Sequence, residues 1–169
     1  RGKYPEACLA RKKAVILSVS SSTHIHKSHN VSLLLYHLVC STKYRRLVLS
    51  PKVERILCQT CLDIQYRYEI HFLEIGTDKD HVHFLIQSVP TYSPTKIART
   101  VKSLTAREIF LNAPGVKRAL WGGSFWGSGF YINTVSRHGN EKTIAEYVKN
   151  QGKEKEYEVL HKDGQLRLF

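Results

Sequence analysis

Two Ser-Pro pairs, Ser50-Pro51 and Ser93-Pro94, divide the chain into alternating strand-like and helix-like segments. A serine followed by a proline is a strong start for a helix, because the serine side chain caps the first turn and proline fits the first helical position. Apolar residues recur with helical spacing after each pair. The first helix is predicted to run from Pro51 to about Tyr68, and the second to begin at Pro94.

Strand-like runs surround these two helices, and a loop with Gly and Pro precedes the last run. A short turn with Gly and Asp joins the second and third runs, which predicts a β-hairpin. A final helix is predicted from Asn140. The order β-α-β-β-α-β-α belongs to the α+β class and contains the ferredoxin-like, RRM-like βαββαβ arrangement: one antiparallel sheet, two backing helices and an additional C-terminal helix. The four runs are 31–40, 69–76, 81–89 and 125–136.

The length of 169 residues predicts a single domain. Residues 1–30 are basic and Ser-rich and are expected to form an extension, 31–157 the compact domain and 158–169 a tail. No apolar stretch reaches the roughly 20 residues needed to cross a bilayer. The four cysteines are too few and too irregular for a disulfide scaffold, so a cytoplasmic location is expected. Cys58 and Cys61 form a C-x-x-C inside a helical pattern, which favours core packing.

The charge balance points to a polyanionic partner. Lys and Arg number 26 against 14 Asp and Glu, for a net charge of +12, which favours nucleic acid. Two basic groups are predicted to contact nucleic acid, one in the turn after the first strand and one on a face of the second helix. The first group comprises Lys43, Tyr44, Arg45 and Arg46, and the second Lys96, Arg99, Lys102 and Arg107.

An H-x-H motif, His81-Val82-His83, opens the third strand-like run. Side chains alternate across a strand, so both imidazoles are expected on one face while Val82 points into the core. The helix-free face of such a sheet is available for a ligand. The pair either binds something or lines a half-exposed strand. Asp78 and Asp80 just before it either orient an imidazole or form the turn.

A second H-x-H, His24-Ile25-His26, occurs in the N-terminal extension. No strand pattern surrounds it, so it is expected to be a chance match.

The predicted final helix contains Tyr147 and Gln151, four residues apart and therefore on one face. A tyrosine can attack phosphorus, but its pKa near 10 leaves it weak at neutral pH unless a base or a metal-polarised phosphate assists. Two histidines and one oxygen ligand would hold such a metal and leave coordination positions open. The alternative for Tyr147 is an aromatic side chain that packs on the sheet.

In combination, these motifs resemble the HUH single-tyrosine transposases of insertion sequences, the transposase A family. The resemblance covers residues from about 34 to 152, through "YHLVCSTKYRR", "TDKDHVHFLIQ", "FWGSGFYINTVS" and "EYVKNQ". It implies that His81, His83 and Gln151 bind a divalent metal and that Tyr147 attacks single-stranded DNA to form a 5′-phosphotyrosine. A hard cation such as Mg²⁺ or Mn²⁺ suits a site that shares ligands with phosphate, although two imidazoles also suit softer metals, so the identity of the metal stays open. The resemblance also implies recognition of hairpins at the element ends and a homodimer with a shared active site.

Two alternatives stay open at this point. A domesticated relative that processes repetitive extragenic palindromes would carry the same residues. A non-catalytic RRM-like RNA-binding domain would share the strand order, and "GSGFYIN" loosely resembles its aromatic strand. That second alternative leaves the histidine pair, Tyr147 and Gln151 without a role.

Overall fold

The computed structural model describes residues 24–121 and 123–135. They form a four-stranded antiparallel sheet with two long helices packed on one face, beside a small two-stranded sheet. The elements are β1 Ile25–His26, β2 Val31–Ser32, β3 Leu34–Ser41, α1 Pro51–Arg67, β4 Ile70–Thr77, β5 His81–Ser88, α2 Pro94–Asn112, α3 Pro114–Ala119 and β6 Tyr131–Val135.

The strand order in the main sheet is β4-β5-β3-β6. Each neighbouring pair is antiparallel, and β3 lies between β5 and β6. The two connections that contain α1 and α2 cross over the same face, which gives the ferredoxin-like arrangement. The predicted fold class is confirmed.

Both Ser-Pro helix starts are confirmed. The Ser50 hydroxyl accepts a hydrogen bond from the backbone N–H of Val53, and the Ser93 hydroxyl accepts one from the N–H of Lys96. Each cap satisfies a backbone donor that the first turn leaves without a helical acceptor. Helix α1 ends at Arg67, as expected from the pattern.

The main core lies between the sheet and the helices. Alternate side chains of the central strands point into it, together with one apolar stripe from each long helix, as the two periodicities require. Cys40, Cys58 and Cys61 are buried there, and the helical pattern of the C-x-x-C predicted this core packing for Cys58 and Cys61. The core residues from β3 and β5 are Tyr36, Leu38, Cys40, Val82, Phe84 and Ile86.

The run expected as one strand over 31–40 is divided into β2 and β3. Strand β2 pairs with β1, and the N–H of Lys27 donates to the carbonyl of Asn30 to close the turn between them. Lys27 also forms a salt bridge with Glu69, just before β4. The expectation that no strand surrounds His24 and His26 is therefore wrong, because Ile25 and His26 of the extension form β1 of this local hairpin.

The strand expected over 125–136 is shorter than the pattern suggested. Strand β6, from residue 131 to 135, pairs with β3, whereas Phe125 and Trp126 pack in the helix-side core and Trp126 forms an isolated bridge with Thr42; residue 136 lies outside the described residues. At Gly127 the chain passes tightly over the end of β3: the N–H of Gly127 donates to the Ser41 carbonyl, and a Cβ on Gly127 would lie 3.2 Å from the Ser41 hydroxyl. The preceding segment, expected as a loop, contains helix α3, with Pro114 in its first turn.

The predicted final helix, with Tyr147 and Gln151, lies outside the described residues, as do residues 1–23 and the expected tail. Among the helices that the structure describes, none has the length and apolar character to cross a bilayer.

Candidate metal and nucleic-acid site

The two faces of the main sheet differ, because all the helices that the structure describes pack on the same face. The other is called here the helix-free face. His81 and His83 both lie on it: they pair with Ser41 and Val39 of β3, while Val82 between them is buried in the core. The ring centroids of the two histidines are 5.1 Å apart. The expected alternation along this strand is confirmed.

His81 is held by the residue before it in the chain. Its Nδ1–H donates to Oδ1 of Asp80 at 2.6 Å. Oδ2 of the same carboxylate accepts from Nε of Arg45 at 2.8 Å. Partial burial pushes the pKa of Asp80 upward, but the hydrogen bond from His81 and the positive charge of Arg45 outweigh it and hold that pKa below its usual value. The carboxylate of Asp80 is therefore placed to orient the imidazole, which is one of the two roles that the sequence left open for it.

The turn that carries Arg45 is fastened beside this carboxylate. The Thr42 hydroxyl donates to the carbonyls of Arg46 and Asp80, and the Thr42 N–H donates to the Asp80 carbonyl as well. Tyr44 and Arg45 both have positive φ, at 55° and 51°. Two successive left-handed residues are rare outside glycine, so the bonds of Thr42 hold a strained turn against the start of β5.

His83 contacts a third histidine, His37 of β3, which the sequence interpretation missed. Nε2 of His37 and Nδ1 of His83 lie 2.9 Å apart in hydrogen-bonding position. The rings stack with centroids 5.1 Å apart and an interplanar angle of 23°. The strand alternation was the available signal: Leu38 and Cys40 point into the core, so His37 had to share the face of the histidine pair.

Burial keeps both of these imidazoles neutral. His83 is 4% exposed and His37 is 8% exposed. Burial lowers the pKa of His83 to about 2, with a further contribution from the neighbouring histidines, and lowers the pKa of His37 to about 4. A neutral ring suits metal binding, since no proton has to be displaced from the ligand nitrogen.

The histidine pair fits a metal as two of its ligands. Nδ1 of His81 faces Asp80 and Nδ1 of His83 faces His37, so Nε2 is the nitrogen that each ring can offer to a cation. Within residues 24–121 and 123–135, no group of three or more His, Cys, Asp and Glu side chains could hold a metal ion. Any third protein ligand would have to be of another type or come from elsewhere, as the amide of Gln151 would.

The first basic group lies next to the histidine pair. Tyr44 is 70% exposed, and the Lys43 ammonium lies 4.9 Å from the centroid of its ring. Arg45 and Arg46 are exposed as well. This turn therefore presents cations and an aromatic ring to solvent beside Asp80.

The second basic group lies on α2, which packs on the other face of the sheet. Lys96, Arg99 and Arg107 are exposed, and Arg107 pairs with Glu108. Lys102 is half-buried, and its ammonium donates to the carbonyls of Gly127, Ser128 and Gly129, which ties down the loop before β6. The sheet thus separates the α2 group from the histidine pair. The DNA-contact roles of both groups stay predictions.

Comparison with protein families identifies the chain. The model of the family described as "Transposase IS200 like" matches residues 30–151. The chain belongs to the IS200-like transposase family. The ISDra2 transposase TnpA of Deinococcus radiodurans is 31% identical over 118 residues, which cover 70% of this chain and 84% of the relative. The IS200 transposase of Salmonella typhimurium is 25% identical over 116 residues, 69% of this chain and 75% of the relative.

Solved structures agree with this assignment. A crystal structure of a Deinococcus radiodurans transposase has a TM-score of 0.62 and 30% identity, and the match covers 75% of this transposase and 97% of that chain. A tyrosine transposase bound to a REP hairpin has a TM-score of 0.52 at 11% identity, over 83% of this transposase and 74% of that chain. The second likeness supports the fold alone.

Membership in the family confirms the resemblance to insertion-sequence transposases. The transposase is therefore an enzyme of DNA transposition, which cuts and transfers DNA strands. The non-catalytic RRM-like alternative is not favoured, because it shares the strand order but not the family.

Proposed function

We propose that this transposase cleaves and rejoins single-stranded DNA at the ends of an insertion sequence through a 5′-phosphotyrosine. Tyr147 is the nucleophile, and His81, His83 and Gln151 hold a divalent metal. The main supporting observation is the imidazole pair on the helix-free face, with the Nδ1 of each ring engaged by a neighbouring side chain. With Nδ1 engaged in this way, Nε2 is the nitrogen through which each ring would bind the metal.

The proposed metal is Mg²⁺ or Mn²⁺, which bind the oxygens of a phosphate readily. When bound, it polarises the scissile phosphate and stabilises charge on its oxygens. The residues of the chain position the ligands of this metal and set their protonation. Asp80 and His37 hold the two imidazoles in place, and the burial of His83 keeps its ring neutral.

The chemical step balances without a nucleotide cofactor. The Tyr147 oxygen loses its proton and attacks phosphorus, and the bond between phosphorus and the 3′ oxygen breaks. The 3′ oxygen takes up a proton and leaves as a 3′-OH, while the 5′ phosphate stays on the tyrosine. A 3′-OH attacks this phosphotyrosine in the rejoining step and releases Tyr147. One phosphodiester is exchanged for another at each step, so no external energy source is required.

The basic turn at residues 43–46 is proposed to bind phosphates of the strand that enters the site. Lys43 and Arg46 supply charge, and the exposed ring of Tyr44 can stack on an unpaired base. Arg45 already donates to Asp80, the carboxylate that orients His81, so a phosphate bound by this turn would lie close to the proposed metal site.

The α2 group is proposed to contact a different part of the DNA, because α2 lies on the other face of the sheet. Arg99 and Lys96 are the exposed candidates, with Arg107. Lys102 can contribute charge but its ammonium is held by loop carbonyls. We propose a hairpin at the element end as the DNA structure bound, by analogy with the tyrosine transposase that was solved with a REP hairpin.

A domesticated role has less support than a mobile element. The relatives at 31% and 25% identity are transposases of insertion sequences. The REP-associated protein shares the fold at 11% identity.

The test is incubation of labelled single-stranded DNA from the element ends with the protein and Mg²⁺. Wild type is expected to form a covalent adduct that survives denaturing electrophoresis. Tyr147→Phe is expected to bind the DNA but form no adduct, because only the hydroxyl is lost. Tyr157→Phe is the matched control and should cleave normally. An adduct on Tyr147→Phe would reject the assignment of the nucleophile.

The shared site in a homodimer has its own test. Inactive Tyr147→Phe and inactive His81→Ala proteins are mixed under conditions that let subunits exchange. A shared site predicts that cleavage returns, since Tyr147 of one chain meets intact histidines of the other. Persistent inactivity after verified exchange would show that each site is built within one chain.

A further inference from the structure

We infer that His37 is a positioning residue for His83. It accepts a hydrogen bond at Nε2 from the Nδ1–H of His83 and so fixes the tautomer that presents Nε2 of His83 to a metal. This inference rests on the proposed metal site. It adds a third histidine, with a role that differs from that of a ligand.

The backbone register brings the two rings together. His37 pairs with Leu85 and His83 pairs with Val39, so the histidines are diagonal neighbours on adjacent strands and share the helix-free face. Their nitrogens lie 2.9 Å apart and their rings stack. A bond between two imidazole nitrogens forms only when one carries a proton and the other has a lone pair.

The direction of this bond follows from the proposed ligand role. A neutral His83 that binds a cation through Nε2 must carry its proton on Nδ1. Binding through Nδ1 is blocked, since Nε2 of His37 occupies that position at 2.9 Å. His83 is therefore the donor and His37 the acceptor, with the proton of His37 on its own Nδ1.

The position of His37 suits this task. It lies on β3, which has β5 on one side and β6 on the other, so its backbone is held from both edges. The Tyr131 ring packs against His37 in a T-shaped arrangement, with centroids 6.2 Å apart and planes at 73°. Side chains on rigid elements hold a site more precisely than side chains on loops.

The two ligand histidines are thus held by different chemistry. His81 donates to the carboxylate of Asp80, which lies near the sheet end and the solvent-exposed Arg45. His83 lies deeper, where an ionised carboxylate would carry a large desolvation cost. A neutral imidazole supplies the acceptor at this position without a buried charge.

The test uses two variants of His37 in the full-length, DNA-free protein. His37→Gln keeps a carbonyl acceptor at a similar reach, and His37→Leu has a similar size but no acceptor. Mn²⁺ affinity is measured from the electron paramagnetic resonance signal of the free ion. His37→Leu is expected to bind Mn²⁺ about 10 to 100-fold more weakly than wild type, as for the loss of other groups that orient metal-binding histidines. His37→Gln is expected to restore most of the affinity.

A second measurement needs no variant. In ¹⁵N NMR spectra of the wild-type protein with Zn²⁺, a diamagnetic ion that imidazoles bind well, His37 should carry its proton on Nδ1 and have an unprotonated Nε2. This measurement tests the direction of the bond between His37 and His83 even if either variant fails to fold.

Several results would overturn the inference. A proton on Nε2 of His37 would show that His37 is the donor and His83 the acceptor. Equal losses of Mn²⁺ affinity in His37→Leu and His37→Gln would show that the hydrogen-bond acceptor at this position does not matter. Wild-type affinity in His37→Leu would reject the role of His37 while the proposed function stands. A wild-type protein that binds no Mn²⁺ would reject both.

Discussion

The two faces of the main sheet are built from the same strands but differ in composition and role. On β5, Val82, Phe84 and Ile86 are buried beneath the helices, while His81 and His83 lie on the helix-free face. The helix side of β5 is apolar from Val82 to Ile86. The helix-free face combines apolar residues with buried His37, Glu74, His83 and Gln87.

The contrast shows how a small sheet can hold a polar site without losing its core. Because side chains alternate along a strand, a polar residue on one face displaces nothing on the other. Stability should therefore depend mainly on the helix side, and metal binding on the helix-free face. Adjacent residues of one strand allow this separation to be tested.

The largest effect is expected from a pair of neighbouring substitutions. Phe84→Ala should lower the free energy of unfolding by about 3–5 kcal/mol, because its ring is fully buried against Phe72 and truncation leaves a cavity. His83→Ala should cost about 1–2 kcal/mol, mainly for the lost hydrogen bond to His37. Denaturant unfolding measures both. Equal destabilisation would break the proposed division between the faces.

Acid should weaken the fold through the helix-free face. The pKa values of His37 and His83 are lowered by burial to about 4 and about 2, below the unfolded value of 6.5. Between these values and pH 6.5 the unfolded state binds protons that the folded state does not, so stability is full above pH 6.5 and falls as the pH drops. From pH 7 to 5 the loss is about 2 kcal/mol per histidine.

Denaturant unfolding of wild type and His37→Gln at both pH values measures this effect. The variant should lose less stability on acidification, because one of the two titrating rings is gone. An identical acid dependence would show that His37 does not contribute to it.

A smaller effect is expected at the carboxylate beside His81. Asp80→Asn should weaken Mn²⁺ binding by about 10-fold while the fold is retained, because the amide is a poorer acceptor for the imidazole N–H. Asp78→Asn is the matched control: its carboxylate accepts from the N–H of Lys79 in the same turn. Titration with Mn²⁺ measures both, and similar losses would mean that the turn rather than the carboxylate matters.

The smallest effect concerns the ion pair at the edge of the helix-free face. Arg45→Ala should lower stability by less than about 1 kcal/mol, because the arginine is mostly exposed and its pairing with Asp80 is screened by water. Unfolding at low and high salt measures it. A loss comparable to that of Phe84→Ala would show that this turn belongs to the structural core.

Much of the fold was predictable because its signals are local. Ser50-Pro51 and Ser93-Pro94 fix the helix starts, and the two β-rich runs fix the central hairpin. The break before β6 was not predictable, because this segment is held by distant residues: Ser41 accepts from the N–H of Gly127, and Lys102 donates to the carbonyls of Gly127 and Gly129. Helix α3 is too short to give a clear period.

The site was predictable only in part, for a related reason. His81 and His83 are adjacent on one strand, so alternation alone places them together. His37 lies 46 residues from His83 along the chain, in a run that looks continuously apolar, and only the pairing of β3 with β5 joins them. Register between distant strands depends on the packing of the whole sheet, so this contact had to come from the structure.

Mn²⁺ binding by two double variants tests the metal site on the helix-free face most directly. His81→Ala with His83→Ala removes the pair on β5, and His24→Ala with His26→Ala removes the second H-x-H, at β1. Both lose two histidines with the same spacing, so general effects of composition cancel. The β5 variant is predicted to lose Mn²⁺ binding while the β1 variant binds like wild type. Unchanged binding in the β5 variant would contradict a metal site at His81 and His83.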